Sequence, residues 1–203
     1  MHKKALVFDF GGVLMDWNPR YYFSSHFDSE ETMEFFLSKI ASDEWNAQQD
    51  KGRSLSEATE LLVAMHPDWE ADIRAYYQNW STMLKGEIKQ NVEVLRRLAQ
   101  NRYPLYGLTN WSHETFPYAL EHYDFFSLFE GKIVVSGEEK LIKPDPEIFQ
   151  LLIERYSLDP KESIFIDDNY QNILTAEKLG FDVVHVHSEL ELSDALVEKG
   201  IVL

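Results

Sequence analysis

Four short stretches of this 203-residue chain carry side chains suited to one reaction. Asp9 follows an apolar run and precedes Phe10-Gly11-Gly12. A carboxylate that ends a buried strand before a glycine turn is presented at the strand's edge, and glycines let backbone amides approach a ligand closely. Thr109 and Asn110 end a second apolar run and lead into Trp111-Ser112. A hydroxyl, an amide and the free N–H groups of a helix start that Ser112 would cap are the ingredients of an anion cradle. Lys143 stands before Pro144-Asp145-Pro146, whose prolines fix the backbone around it. Asp167 and Asp168 are adjacent at the end of a third apolar run. Two such carboxylates repel unless a cation sits with them, and hard oxygen ligands of this kind suit Mg²⁺. Taken singly, each stretch also has a plain structural reading: a turn cap, a helix cap, a solvated lysine.

The elements that must position these groups are legible as alternation. Ala5–Phe8, Leu105–Leu108, Ile133–Val135, Ser163–Ile166 and Val183–Val186 read as short, continuously apolar strands of a buried parallel sheet. Between them, Ile88, Val92, Leu95, Leu98 and Ala99 share a helix face. Asp145-Pro146-Glu147 launches a helix through Tyr156, and Asn172 to Leu179 closes on Gly180. Ser188-x-x-Glu191 is a capping box for the last helix. The pattern predicts an α/β fold with a doubly wound parallel sheet.

Between Asp16 and Gly86 no strand pattern is found. Helix signals occur at Asp28 and Glu31 with Met33, Phe36, Leu37 and Ile40, at Ser54-x-x-Glu57 with Leu55, Ala58, Leu61 and Leu62, and from Trp69 to Leu84. A helical insertion directly after the first strand predicts a cap over the sheet's C-terminal edge, where ligands of open α/β sheets bind. The expected division is an α/β core over 1–15 and 87–203 with a helical cap over 16–86.

The composition narrows the partners. Lys and Arg number 19 against 35 Asp and Glu, a net charge of −16. That balance excludes a broad nucleic-acid or anionic-membrane surface, and its field opposes an anionic ligand. No cysteine is present, so disulfides, thiolate metal sites and a cysteine nucleophile are excluded. Lys3 and Lys4 before an apolar run imitate a secretory leader, but Asp9 interrupts the run and no small-residue cleavage site follows. A cytoplasmic protein without a membrane span is expected, its oligomeric state left open.

Jointly, Val7-Phe8-Asp9-Phe10-Gly11-Gly12-Val13-Leu14, Leu108-Thr109-Asn110, Lys143-Pro144-Asp145-Pro146 and Ile166-Asp167-Asp168-Asn169 resemble the four motifs of the haloacid dehalogenase superfamily, and the insertion resembles its small helical cap. The resemblance implies an HAD-like Rossmannoid core and a hydrolase in which Asp9 forms a covalent ester with its substrate. In the phosphatase branch this is an aspartyl phosphate. It further implies Mg²⁺ held by Asp9, the carbonyl of Gly11 and Asp168, with Asp167 a ligand or its neighbour. Thr109 and Asn110 would hold phosphoryl oxygens, and Lys143 would steady Asp9 and the transferring group. The substrate would be a small phosphorylated metabolite.

One departure matters. Most phosphatases of this family carry a second Asp two residues after the first, as general acid and base, and here that residue is Gly11. His113 is the nearest replacement in sequence. Asp-x-Gly-Gly is similar to α-glucose-1-phosphate phosphatase and its relatives, which suggests a sugar phosphate. Two other readings compete: a sugar-phosphate-binding protein with little or no catalysis, motivated by Gly11, and a metal-independent 2-haloacid dehalogenase, disfavoured by Asp167 and Asp168. Trp17, Asn18 and Arg20, at the entry to the cap, are the specificity candidates, with Arg20 as a cation facing the substrate. The remaining aromatic residues of the cap, Tyr77 and Trp80 among them, are expected mostly in its core. His185 and His187 read as structural.

Overall fold

A computed structural model describes residues 3–187 and 190–203. In chain order the elements are β1 (Ala5–Phe8), β2 (Met15–Trp17), α1 (Arg20–His26), α2 (Glu30–Phe35), α3 (Asp43–Asp50), α4 (Leu55–Met65), α5 (Glu70–Gln78), α6 (Trp80–Met83), β3 (Leu84–Glu87), α7 (Lys89–Gln100), β4 (Leu105–Thr109), α8 (Phe116–His122), β5 (Ile133–Val135), α9 (Ser136–Glu139), α10 (Pro146–Tyr156), β6 (Ser163–Asp167), α11 (Tyr170–Lys178), β7 (Asp182–His185) and α12 (Leu192–Glu198).

Five strands form one parallel sheet in the order β5-β4-β1-β6-β7. Side chains alternate across it, as the pleat requires. Leu6, Phe8, Ile164 and Ile166 enter one apolar cluster, while Val7, Phe165, Leu108 and Val134 enter another on the opposite face. Burial on both faces is why these strands read as unbroken apolar runs. The chain moves from β1 outward to β4 and β5, then returns to the other side of β1 for β6 and β7. Strand order therefore reverses at β1, the place where such sheets open a crevice beyond their C-terminal ends.

The insertion has an apolar cluster of its own, including Phe23, Met33, Phe36, Leu37, Ile40, Trp45, Leu62, Ile73 and Tyr76. Serine side chains start three of its helices: Ser29 caps α2, one residue later than the expected Asp28, Ser42 accepts from the N–H of Trp45 in α3, and Ser54 from that of Glu57 in α4.

Two expectations for this interval are corrected. It is not strand-free at its ends, because β2 and β3 pair as an antiparallel ribbon with Met15 opposite Glu87 and Trp17 opposite Leu84. The helix expected from Trp69 to Leu84 is α5 and α6 broken at Asn79, followed by β3. Ser188 lies outside the described residues, and with it the expected capping box. No helix among the described residues is long and apolar enough to cross a membrane.

Candidate active site

The sheet brings three expected groups to one edge. Phe8 pairs with Gly107 of β4 and Ile166 of β6, so Asp9, Thr109 and Asp167 emerge side by side. The backbone N–H of Asp9 donates to the Ile166 carbonyl at 2.9 Å, which extends the ladder one residue past β1. Phe10 then turns inward against Phe116, Phe126 and Phe129. Its carbonyl accepts the N–H groups of Leu14 and Met15, closing the Gly11-Gly12 turn.

Asp9 Oδ1 accepts from the Phe10 N–H at 2.7 Å and lies 2.9 Å from Lys143 Nζ. Oδ2 is left for other chemistry. Lys143 Nζ also donates to Asp167 Oδ2 at 2.7 Å, and its side chain and that of Asp167 are fully buried. Asp167 is further held by the Asn169 N–H at 2.8 Å and by Asn172 Nδ2 at 3.0 Å on both oxygens. Ligating oxygens of Asp9, Asp167 and Asp168 lie within 4.8 Å of one another. Burial, then the carboxylates of Asp167 and Asp168, push the Asp9 pKa up to about 7 against the opposing pull of Lys143. Asp168 is also raised, by burial and then by Asp167. Burial alone would push the Lys143 ammonium down, but Asp167 and Asp9 outweigh it and hold it above its ordinary range.

Three carboxylates against one ammonium leave an excess of negative charge. Asp167 has its oxygens engaged, whereas Asp9 Oδ2 and Asp168 do not. Gly12, at φ +68°, leaves the room that Asp168 fills: a Cβ there would stand 2.1 Å from Asp168 Oδ2. These donors fit a hard divalent cation. Thr109 Oγ1 is buried without a hydrogen-bond partner, an orphan that an incoming oxyanion would satisfy.

Beyond this edge lies a cleft of ≈ 110 Å³ between sheet and insertion. Gly11, Met15, Asn110 and Trp111 line it from the sheet side, and Trp17, Asn46, Asp50, Tyr77 and Trp80 from the other.

The profile of the haloacid dehalogenase-like hydrolases matches residues 3–180. The chain belongs to this family. As a haloacid dehalogenase-like hydrolase it is 26% identical to a sesquiterpene phosphatase, astK, of Aspergillus oryzae, over 92% of this chain and 91% of that protein. It is 25% identical to a phosphorylated carbohydrates phosphatase of Thermotoga maritima, over 98% of this chain and 92% of that one. Among solved structures it is similar to a HAD family enzyme, bt-2542, of Bacteroides thetaiotaomicron in complex with magnesium and inorganic phosphate. That likeness has a TM-score of 0.71 at 26% identity and covers 96% of this chain and 99% of that one.

Within this hydrolase, Asp9, Thr109, Lys143, Asp167 and Asp168 converge, and Gly11 and Trp17 line the cleft. Two expected substrate contacts are placed differently. The Asn110 side chain donates to the Lys143 carbonyl and accepts its N–H, each at 2.9 Å, so it braces the lysine loop while the residue also lines the cleft. The Arg20 guanidinium is gripped by both oxygens of Glu34 at 2.6 Å, on an exposed helix flank away from the cleft. Ser112 receives the Glu114 N–H as a turn, and the helix starts later, at Phe116. His113 is not among the residues lining the cleft, and His185 donates from Nε2 to the Asp168 carbonyl at 2.9 Å.

Sequence reasoning missed Asn172, whose spacing after Asp167 carried the signal of a helical side chain facing back to the strand end. It also missed Asp50. Nothing in the sequence marks that residue, because its setting is made by contacts distant along the chain.

Proposed function

We propose that this hydrolase is a Mg²⁺-dependent phosphatase of small phosphate monoesters that works through an aspartyl phosphate. The observation that carries the reading is the pairing of a buried, unpartnered Thr109 hydroxyl with a carboxylate cluster in surplus over its one ammonium. An oxyanion with a divalent counter-ion answers both. The relatives named for phosphatase activity and the neighbour with magnesium and phosphate support it.

Asp9, the carbonyl of Gly11 and Asp168 would hold the ion, which lets an anionic nucleophile approach an anionic phosphate. A carboxylate oxygen of Asp9 forms a bond to phosphorus as the bond from phosphorus to the alcohol oxygen breaks. Lys143 holds Asp9 Oδ1 and so orients the carboxylate, and Asp167 holds Lys143. The Thr109 hydroxyl donates to a phosphoryl oxygen as charge builds there. With no side chain at Gly11, the departing alkoxide takes its proton from solvent. Water then cleaves the aspartyl phosphate, releasing inorganic phosphate and restoring the Asp9 carboxylate.

The test is phosphate release from acetyl phosphate and p-nitrophenyl phosphate with and without Mg²⁺. Asp9→Asn is expected to lose at least about a thousandfold in turnover, the scale of removing a nucleophile. Tight binding of phosphate esters with no turnover would replace this reading by a binding protein. Halide release from 2-chloropropionate in excess EDTA would replace it by a dehalogenase.

A further inference from the structure

The insertion side of the cleft holds a carboxylate that the reaction above does not use. Asp50, the last residue of α3, lines the cleft together with Trp17, Tyr77, Trp80 and Trp111. Burial pushes its pKa up to about 7, opposed by a hydrogen bond from the Ser112 N–H. It lines the same cleft as Gly11 and Asn110, from the insertion side. Among the described residues no cationic side chain is paired with it.

The neighbouring polar groups are engaged with one another. Asn46 Nδ2 donates to Asp50 Oδ2 at 3.1 Å, and Asn46 Oδ1 accepts from the Tyr77 hydroxyl at 2.9 Å. That hydroxyl accepts from Gln49, and the Trp111 indole N–H is taken by Thr115 Oγ1 at 3.1 Å. What this end of the cleft offers a ligand is aromatic surface, one carboxylate without a counter-ion and the unpartnered N–H of Trp17.

We propose that this end of the cleft recognises an ammonium group on the leaving alcohol, so that the substrate is the phosphate monoester of an amino alcohol. The proposal rests on the phosphatase reading above. Aromatic faces attract cations through their quadrupole, and the carboxylate supplies the counter-charge. A sugar or other polyol brings several hydroxyls, more than Asp50 and the Trp17 N–H can pair. A purely apolar leaving group leaves the Asp50 carboxylate with no partners but the Asn46 amide and the Ser112 N–H. An ammonium near the ester oxygen also makes the departing alkoxide less basic, which suits a site whose Gly11 offers no acid. The net charge of −16 opposes a zwitterionic ester less than a dianionic one.

The experiment compares choline phosphate with 3,3-dimethylbutyl phosphate, which has the same shape with carbon in place of nitrogen. Wild-type kcat/KM is expected to favour choline phosphate by at least about tenfold, the scale of a desolvated cation over aromatic faces. In Asp50→Asn the ratio is expected to fall close to one. Tetramethylammonium binding, followed by quenching of tryptophan emission, is expected in the wild type and weakened in that variant. Equal rates for the two esters, or a hexose phosphate turned over faster than choline phosphate, would overturn the proposal. If no ester and no acetyl phosphate is turned over, the phosphatase reading fails. The emission experiment then still decides the cation site, and no quenching by tetramethylammonium sinks it.

Discussion

Gly11 and Gly12 are neighbours of Asp9, the proposed nucleophile, yet they are glycine for opposite reasons. A Cβ on Gly11 meets nothing within 4 Å, and its backbone is not left-handed. Gly11→Asp therefore meets no clash at its Cβ, and it places a carboxyl group two residues after Asp9. The variant is expected to raise turnover of a simple alkyl phosphate relative to acetyl phosphate by at least about tenfold, within the range of acid catalysis. An unchanged ratio in steady-state assays would count against Gly11 as the missing proton donor. At Gly12 a side chain would collide with Asp168, and φ is +68°. Gly12→Ala is expected to cost about 1–3 kcal/mol of stability from backbone strain. It should also weaken Mg²⁺ binding by more than about tenfold, read by calorimetry. The string Asp9-Phe10-Gly11-Gly12 announces a ligand-facing turn but does not separate these roles, because they depend on what stands opposite. Arg20 shows the converse: its position near Asp9 suggested a substrate contact, but Glu34 takes the charge first. Arg20→Ala is expected to leave KM within about twofold, as for an exposed ion pair.

At the scale of elements, the glycine turn is held from outside the sheet. Asn91, on the buried face of α7, donates from Nδ2 to the Val13 carbonyl at 2.7 Å. Asn91→Ala leaves that carbonyl buried and unpaired, at about 1–3 kcal/mol in chemical denaturation. It also loosens the segment that presents Asp9 and Gly11, so kcat is expected to fall as well; an unchanged kcat would restrict Asn91 to folding. The α7 periodicity was legible through Val92, Leu95 and Leu98, but a lone Asn on the same face carries no mark of its partner. The core strands were legible because burial on both faces leaves an apolar run ended by a polar residue, as at Phe8-Asp9 and Ile166-Asp167. The β2–β3 ribbon was not. Met15-Asp16-Trp17 and Leu84-Lys85-Gly86-Glu87 are too short for alternation to register, and each is a strand only because the other lies beside it.

For the molecule as a whole, the excess of acid concentrates part of its effect at one edge. Asp9, with a pKa near 7 against 3.8 for an unperturbed carboxyl, and Asp168, also raised, hold protons in the folded chain that the unfolded chain has already released. Without a cation their contribution to stability is present at low pH and declines as pH rises from about 4 toward 7. A bound divalent ion replaces those protons, so Mg²⁺ should raise Tm more at pH 8 than at pH 6, where protons compete. Equal shifts at both pH values in thermal melts would argue against metal at these carboxylates. The ribbon of β2 and β3 has a consequence on this scale too. Because Trp17 and Leu84 face each other, the insertion departs from and returns to the sheet at one point. The chain between them is a loop whose ends are already closed, and the entropy of closing such a loop grows only with the logarithm of its length, about 0.6 kcal/mol per doubling. Helices can be lengthened, shortened or exchanged above that point at little cost to the sheet below, so the insertion's wall of the cleft is free to vary while Asp9, Thr109, Lys143, Asp167 and Asp168 stay where they are.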